Sequence, residues 1–247
     1  METGIRPAIR RWIRKTTGLD VRVYDFKNAP MARRMALLQH HGIGVVLDVG
    51  ANMGQYAQSL RRNGYRGRIV SFEPMAAAFQ MLQAHAQADP AWEAVHFGLG
   101  AAEEEATIHI AQNPQCSSLL APLPRYLEAS PAPTLVGDEA IRIQPLDTVF
   151  SKYVREGERG FLKLDVQGYE RRVLEGAQAS LPHIAGVQLE LSLVPLYEGG
   201  PVLEEMLAYL AGQGFTLMSI EPTASHPRTG QQLQVDGVFF REEEAGR

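Results

Sequence analysis

From His41 onward, short apolar runs trade places with longer stretches in which apolar residues return every three or four positions. The first pattern reads as a buried strand, the second as a helix with one buried face. Val45–Val49 is such a run and ends in a glycine-rich turn. Helical character follows over Gln55–Arg62, a second strand over Arg68–Phe72, a helix from Pro74 to Ala88, and a third strand over Glu93–Phe97. This alternation predicts a parallel sheet with crossover helices. It resumes with a strand at Phe161–Val166, a helix at Tyr169–Ala179 and a strand at Val187–Leu193. Pro201 is expected to open a further helix at its first position, with Glu204 and Glu205 at the positive dipole end and Val202, Met206, Leu207 and Leu210 on the buried face. Phe215–Ile220 and Gln234–Phe240 are joined without a helix, which predicts an antiparallel hairpin at the end of the sheet.

The middle of the chain is less regular. Ala106–Ala111 reads as an additional strand, and Ile141–Pro145 as another before a short helix after Asp147. Residues 112–138 between them hold Pro114, Pro122, Pro124, Pro131 and Pro133. So long a proline-rich piece inside a compact domain predicts a lid, a binding loop or partial disorder. The chain's 247 residues contain no convincing linker. One large α/β domain over 42–247 is therefore expected, preceded by a basic helical extension over 1–41.

Charge sharpens that boundary. Residues 1–41 carry nine Lys/Arg against Glu2, Asp20 and Asp25, whereas the whole chain has a net charge of −4. The acidic body argues against nucleic acid as the main partner. Within the extension, Ile5, Ile9, Trp12 and Ile13 share a helical face, with Arg6, Arg10, Arg14 and Lys15 around it. Such a helix either packs on the domain, joins two copies as a homodimer, or makes weak contact with an anionic membrane surface; packing or dimerisation is the expectation. No stretch approaches the roughly 18 apolar residues of a membrane span, and no apolar core of a secretory signal follows the basic residues. The single cysteine, Cys116, precludes an internal disulfide and fits a reducing cytoplasm.

The chemistry starts at Asp48-x-Gly50-x-Asn52-x-Gly54, where the first strand turns into the first helix. Ligands of open parallel sheets bind outside the C-terminal ends of the strands. Gly50 and Gly54 let the backbone turn and approach a ligand, and the start of the next helix offers N–H groups to an anion. Glu73 ends the second strand, where an acid accepts hydrogen bonds from both hydroxyls of a ribose. Together these residues imply an adenosine cofactor. A nicotinamide dinucleotide is the rival, but its Gly-x-Gly-x-x-Gly signature is broken by Asn52 and Gln55. Asp48 also suits the ammonium of a methionine moiety better than a pyrophosphate.

The ordered set of motifs resembles the FkbM-family methyltransferases, within the Rossmann-like enzymes that use S-adenosylmethionine. The pieces that carry the resemblance are Leu47–Gly54, Ser71-Phe72-Glu73-Pro74, Leu99-Gly100, Ser117-Ser118-Leu119, Pro145–Thr148, Leu162–Glu170 and Leu189-Glu190. Gln167 departs from it, since the family often has a glutamate there. The resemblance spans roughly residues 43–240 and implies a doubly wound, mostly parallel seven-stranded sheet with its last strand antiparallel. It implies that Gly50, Ala51 and Gly54, with Asn52 between them, line the methionine end, and that Asp48 lies near the ammonium. Glu73, followed by Pro74, holds the ribose; Leu99 and Gly100 border the adenine; Ser117 and Ser118 approach cofactor or acceptor. It makes a hydroxyl oxygen of a small molecule, glycan or natural product the expected methyl acceptor.

A hydroxyl nucleophile must lose a proton, so a positioned base is sought. Asp165, at the end of the Phe161–Val166 strand, is the first candidate, either as base or as a contact to the cofactor's amine. Glu170, one helical turn on, and Glu190, in the next strand, complete a candidate trio of catalytic carboxylates; a helix-dipole role and a buried ion pair are their plainer readings. Asp165, Glu190 and Asp236 could supply ligands to a magnesium or calcium ion, but their spacing alone does not make a metal site, and a metal-free site is expected. Tyr56 and Tyr169 each begin a helix beside a strand end, where ligand contact and simple burial are equally open. Two further readings stand against methyl transfer: an NAD-dependent oxidoreductase, and an adenosine-binding module without chemistry.

Overall fold

The structure is a computed structural model that describes residues 7–21 and 23–242. Ile5 and Arg6, assigned above to the first helix, lie outside them. The elements run α1 (Pro7–Thr17), α2 (Pro30–His40), β1 (Val45–Val49), α3 (Gln55–Arg62), β2 (Arg68–Phe72), α4 (Ala76–Gln87), β3 (Trp92–Val95), β4 (Gly98–Leu99) and β5 (Glu104–Ala111). They continue α5 (Pro124–Ala129), β6 (Leu135–Gln144), α6 (Leu146–Tyr153), β7 (Gly160–Leu164), α7 (Glu170–Glu175), β8 (Ile184–Ser192), α8 (Leu203–Gly212), β9 (Phe215–Pro222) and β10 (Gln234–Arg241).

Seven strands form the main sheet in the order β3-β2-β1-β7-β8-β10-β9. The pairs from β3 to β8 are parallel, and β10 runs antiparallel to both β8 and β9. This is the expected Rossmann-like sheet, with its final hairpin in place. β1 and β7 are buried along their whole length because helices cover both faces. Val45, Leu47 and Val49 join one core with Leu162, Leu164 and Val187. Val46 and Phe161 point the other way, into a second core with Leu38, Ala57, Leu60 and Phe240. α2 belongs to that second core through Leu38, with Met31, Met35 and Leu37 packed against it. The helix at the end of the basic segment is thus part of the domain's packing, whereas α1 leaves Ile9 and Trp12 exposed.

Several sequence expectations need correction. The third strand is split: β3 stops at Val95, and Gly98–Leu99 leaves for a second sheet of order β4-β6-β5. The proline-rich stretch is also ordered, with a 3₁₀ turn at Pro114–Cys116, α5, and the outer half of β6. Leu135–Glu139 is largely exposed and its polar residues hide the strand period, but pairing with β5 holds it extended. The helix expected over Tyr169–Ala179 ends at Glu175, because Gly176 packs directly on the backbone of Gly100 and Asp147 accepts the Ala179 and Ser180 N–H groups. Pro201 does not open α8. Val202 is held extended by a bridge to Ser192, so the helix starts at Leu203, with Glu205 accepting the Val202 N–H at 3.3 Å.

Candidate active site

A cavity of about 180 Å³ opens at the C-terminal ends of β1, β2 and β7. Its floor is the Gly50–Asn52 turn, its flanks Glu73-Pro74-Met75 and Asp165-Val166-Gln167, and its roof Leu99, Ile108, Ile141 and Ile143 with Ser117-Ser118-Leu119. The second sheet and the proline-rich stretch therefore wall the site.

The β1 turn is built from its own hydrogen bonds. The Gly50 and Ala51 N–H groups donate to Phe72 O, Asn52 N to a Glu73 carboxylate oxygen at 2.8 Å, Met53 N to Asn52 Oδ1, and Gly54 N to Ala51 O. The turn leaves the first turn of α3 to offer amides to an anion. Gly50 has φ 72°, and a Cβ there would collide with the Asp165 carbonyl, so only glycine lets the β1 and β7 turns touch. Gly54, at φ 85°, does not line the cavity: a Cβ there would meet Trp92 at 2.8 Å, which makes it a packing glycine. Gly100 is likewise walled off behind Ile143 and Tyr169.

Glu73 is buried, and its two oxygens accept Asn52 N at 2.8 Å and Met75 N at 2.9 Å. Burial pushes its carboxyl up to about 7, against those two donors, which favour the charge. A carboxylate has about four lone-pair sites, so Glu73 retains acceptor capacity toward the cavity it lines.

Asp48 does not reach that cavity. It is fully buried, and its Oδ1 lies 3.0 Å from Lys163 Nζ. Strand register explains this. Ser71, Asp48, Lys163 and Gln188 are successive partners across β2, β1, β7 and β8, and residues paired this way share a face. They form a polar row through the second core. Ser71 Oγ donates to Asp48, Trp92 Nε1 to Ser71, Tyr56 Oη to Gln188 at 2.9 Å, and Gln188 Nε2 to Asp236 at 3.0 Å. Arg34, from α2, caps the row, pairing with Glu221 at 2.5 Å and Asp236 at 3.4 Å. Burial alone would lower the Lys163 ammonium, but Asp48 and Asp165 outweigh it and hold it charged, with its pKa raised. Lys163, Arg34 and Gln188 all line the cavity, yet sequence reasoning gave them no role. The signal was present, because a lysine inside a buried apolar strand demands a carboxylate partner.

Asp165 lines the cavity with a side chain 44% exposed, 3.6 Å from Lys163. Gln167, at φ 54°, donates its amide to Asp165 Oδ1 at 2.7 Å and to Glu190 Oε2 at 3.1 Å, while its own oxygen accepts from Tyr197 Oη at 2.6 Å. Glu190 sits behind the cavity lining and also accepts from Gln234 and Thr223. Burial raises its carboxyl well above the ordinary range, helped by the negative charges of Asp165, Glu170 and Asp236. Glu170 also lies outside the lining. It is buried and accepts the Val166 and Gly168 N–H groups at 3.1 and 3.3 Å. Burial lifts it to about 7, and its visible role is to hold the β7 turn. Ser117 Oγ accepts Ala111 N, and Ser118 Oγ donates to Gln167 O at 2.7 Å, so Ser117 braces the roof on β5 and Ser118 ties the roof to the β7 flank, both lining the space. Ala51, Asn52, Tyr56, Pro74 and Leu99 line it too. Among the described residues, no three His, Cys, Asp or Glu side chains gather closely enough to hold a metal ion.

A doubly wound sheet with an antiparallel β10 carries a cleft between a buried acid just after β2 and a half-exposed acid after β7, which is the Rossmann-like arrangement. The methyltransferase FkbM domain model matches residues 48–217, well over half of the chain, and the chain belongs to that family. Solved structures similar to it include a methyltransferase FkbM from Methylobacillus flagellatus KT, 16% identical, with 79% of this chain and 43% of that one covered, at a TM-score of 0.49. This chain thus spans less than half the length of that protein. An rRNA methylase from Streptococcus thermophilus is 13% identical over 87% of this chain and 98% of its own, TM-score 0.48. A magnesium protoporphyrin IX methyltransferase from Synechocystis PCC 6803, solved with bound SAM, is 13% identical over 95% and 96%, TM-score 0.47. No curated protein sequence matches the chain.

Proposed function

We propose that this chain transfers the methyl group of S-adenosylmethionine to a hydroxyl oxygen of a small molecule, glycan or natural product. The observation that carries this reading is a single cavity with two unlike flanks. One is apolar, with Met75, Leu99, Ile108, Ile141 and Ile143 around the single acid Glu73. The other is charged, with Asp165, Lys163, Arg34 and Asp236. The first flank fits adenosine: the lone pairs that Glu73 retains match the two hydroxyls of a ribose, and the apolar roof suits a base. The second leaves room for a methionine moiety and an acceptor.

Bound there, the cofactor supplies a methyl on a sulfonium, a good leaving group. The chain must therefore align the acceptor and remove its proton. We assign the proton to Asp165, the more exposed of the two carboxylates on the charged flank of the cavity, with Lys163 steadying its charge. Glu190 acts behind it as a positioning residue through the Gln167 amide, and Glu170 holds the β7 turn. A dinucleotide is disfavoured because the five N–H groups from Gly50 to Gly54 all bond within the chain, so the loop itself adds no donor for a pyrophosphate to the amides of the first turn of α3.

The test is incubation with methyl-labelled S-adenosylmethionine and an extract rich in hydroxyl-bearing metabolites and glycans, followed by mass spectrometry. The expected result is a labelled methyl ether, stable to mild base, formed with one equivalent of S-adenosylhomocysteine. A base-labile methyl ester or an N-methyl product would overturn the oxygen assignment. Cofactor binding without turnover would support the inactive module, and preference for NAD would end the methyltransferase reading.

A further inference from the structure

α1 is an 11-residue helix that turns two unlike faces to solvent. At 100° per residue, Ala8, Ile9, Trp12, Ile13 and Thr16 fall on one side, and Arg10, Arg11, Arg14 and Lys15 on the other. A helix of a globular domain buries its apolar face; this one leaves Ile9 50% and Trp12 66% exposed. The same exposure continues past its end, through Leu19, Val23, Tyr24 and Phe26. Trp12, Tyr24 and Phe26 are the only exposed large aromatic side chains among the described residues, and all three fall in this one segment. The chain's other tryptophan, Trp92, is buried.

We propose that α1 and the apolar segment after it dock in the plane of an anionic lipid surface. Three observations select that occupant. First, the helix is about 16 Å long at 1.5 Å per residue, too short to span a bilayer and suited to lying in its interface. No helix among the described residues is long and apolar enough to cross a membrane. Second, Trp and Tyr with apolar neighbours prefer the headgroup boundary, where an amphipathic ring is half solvated. A nucleic-acid backbone would use the basic face and leave the apolar one without a partner. Third, the charge is complementary and directional. Residues 1–41 hold nine Lys/Arg against three acids, while the chain as a whole is negative. An anionic surface attracts this end and repels the acidic body, so the molecule meets the membrane α1 first. A second copy offers the same basic rim, and like charges would meet across such a pairing.

The test is co-sedimentation of the full chain with vesicles of phosphatidylcholine alone and of phosphatidylcholine mixed with phosphatidylglycerol. Roughly tenfold more protein should pellet with the anionic vesicles, the gain should fade as salt rises, and tryptophan emission should shift to the blue. The double variant Ile9→Ser with Trp12→Ser should lose both the binding and the shift. It should keep its thermal midpoint, because these side chains are not packed on the domain, and its turnover of soluble acceptors. Equal pelleting with neutral and anionic vesicles, or binding that survives the double variant, would overturn the proposal. So would a dimer that the double variant dissolves, which would name a second copy as the occupant, or salt-sensitive binding to RNA without binding to vesicles.

Discussion

The ends of β1 and β7 are neighbours in the sheet and carry the same tripeptide, Leu47-Asp48-Val49 beside Leu164-Asp165-Val166. Their alignment separates them. Leu47 is paired with Leu162, and Leu164 with Val49, so the second copy sits two residues further along its strand. A shift of two keeps each side chain on the same face, so both aspartates flank Lys163. Asp48, however, ends up inside the sheet at 3.0 Å from it, and Asp165 beyond the sheet's edge at 3.6 Å. The first is fully buried and the second is 44% exposed at the rim of the cavity. Identical residues on adjacent strands thus take different places because of one pleat of register: Asp48 neutralises a buried cation, and Asp165 faces the same cation from the rim of the cleft.

The strongest way to break this contrast is to remove each carboxylate in turn. Stripping one partner from a fully buried pair costs about 3–5 kcal/mol, because the other charge stays uncompensated. Asp48→Ala should therefore lower the thermal midpoint by many degrees. Asp165→Ala, with its side chain partly in solvent, should shift stability by about 1 kcal/mol or less. Thermal unfolding of both variants without ligand measures the difference. An Asp48→Ala protein that unfolds normally but fails to bind cofactor would place Asp48 at the ligand after all.

A smaller effect on the fold but a large one on chemistry is expected from Asp165→Asn. The amide keeps the shape and removes the base. Turnover should fall by about 10²–10⁴, with the KM for S-adenosylmethionine changed only a few-fold and the thermal midpoint unmoved. Glu190→Gln, behind the Gln167 amide, should act through position, displacing the pH–rate profile and lowering turnover less. If Glu190→Gln is the more damaging of the two, the roles of base and support are reversed.

How far these features were legible follows from the same geometry. Strand period and glycine spacing located β1, β2, β7 and β8, because buried parallel strands announce themselves as apolar runs. They also placed Gly50, Glu73 and Asp165 at strand ends, where the cavity is. The burial of Asp48 against Lys163 was not legible, because an acid one residue before the end of a strand gives no sign of which face it occupies until its neighbours are aligned. Lys163, Arg34 and Gln188 come from separate elements and meet only through register, so no local window contains them. β6 was half missed for a related reason: Gly137-Asp138-Glu139 is polar, and its extended form is supplied by pairing with β5. Gly54 was legible as a glycine that matters, and its positive φ and the Trp92 ring packed on it are the reasons the structure gives.

The finest test of the two flanks uses protons. Burial raises the Glu73 carboxyl to about 7, above its value in an unfolded chain. The folded protein therefore holds that proton more tightly, and its contribution to stability is full below about pH 4.5 and is lost as the pH rises to about 7. Ligand binding runs the opposite way. Two ribose hydroxyls need an ionised acceptor, so affinity should tighten as Glu73 loses its proton. For one group titrating near 7, the gain between pH 6 and pH 8 is about tenfold. Glu170 and Asp236 titrate in the same range, at about 7 and about 6, so the wild-type trend alone would not isolate Glu73. Glu73→Gln does, because it retains both other groups and an oxygen for one of the two backbone amides. Calorimetry with S-adenosylhomocysteine should show the tenfold change in the wild type and weak, pH-flat binding in the variant. An equal pH slope in the two proteins would move the titrating group to the charged flank and leave Glu73 as a brace for the Asn52 and Met75 amides.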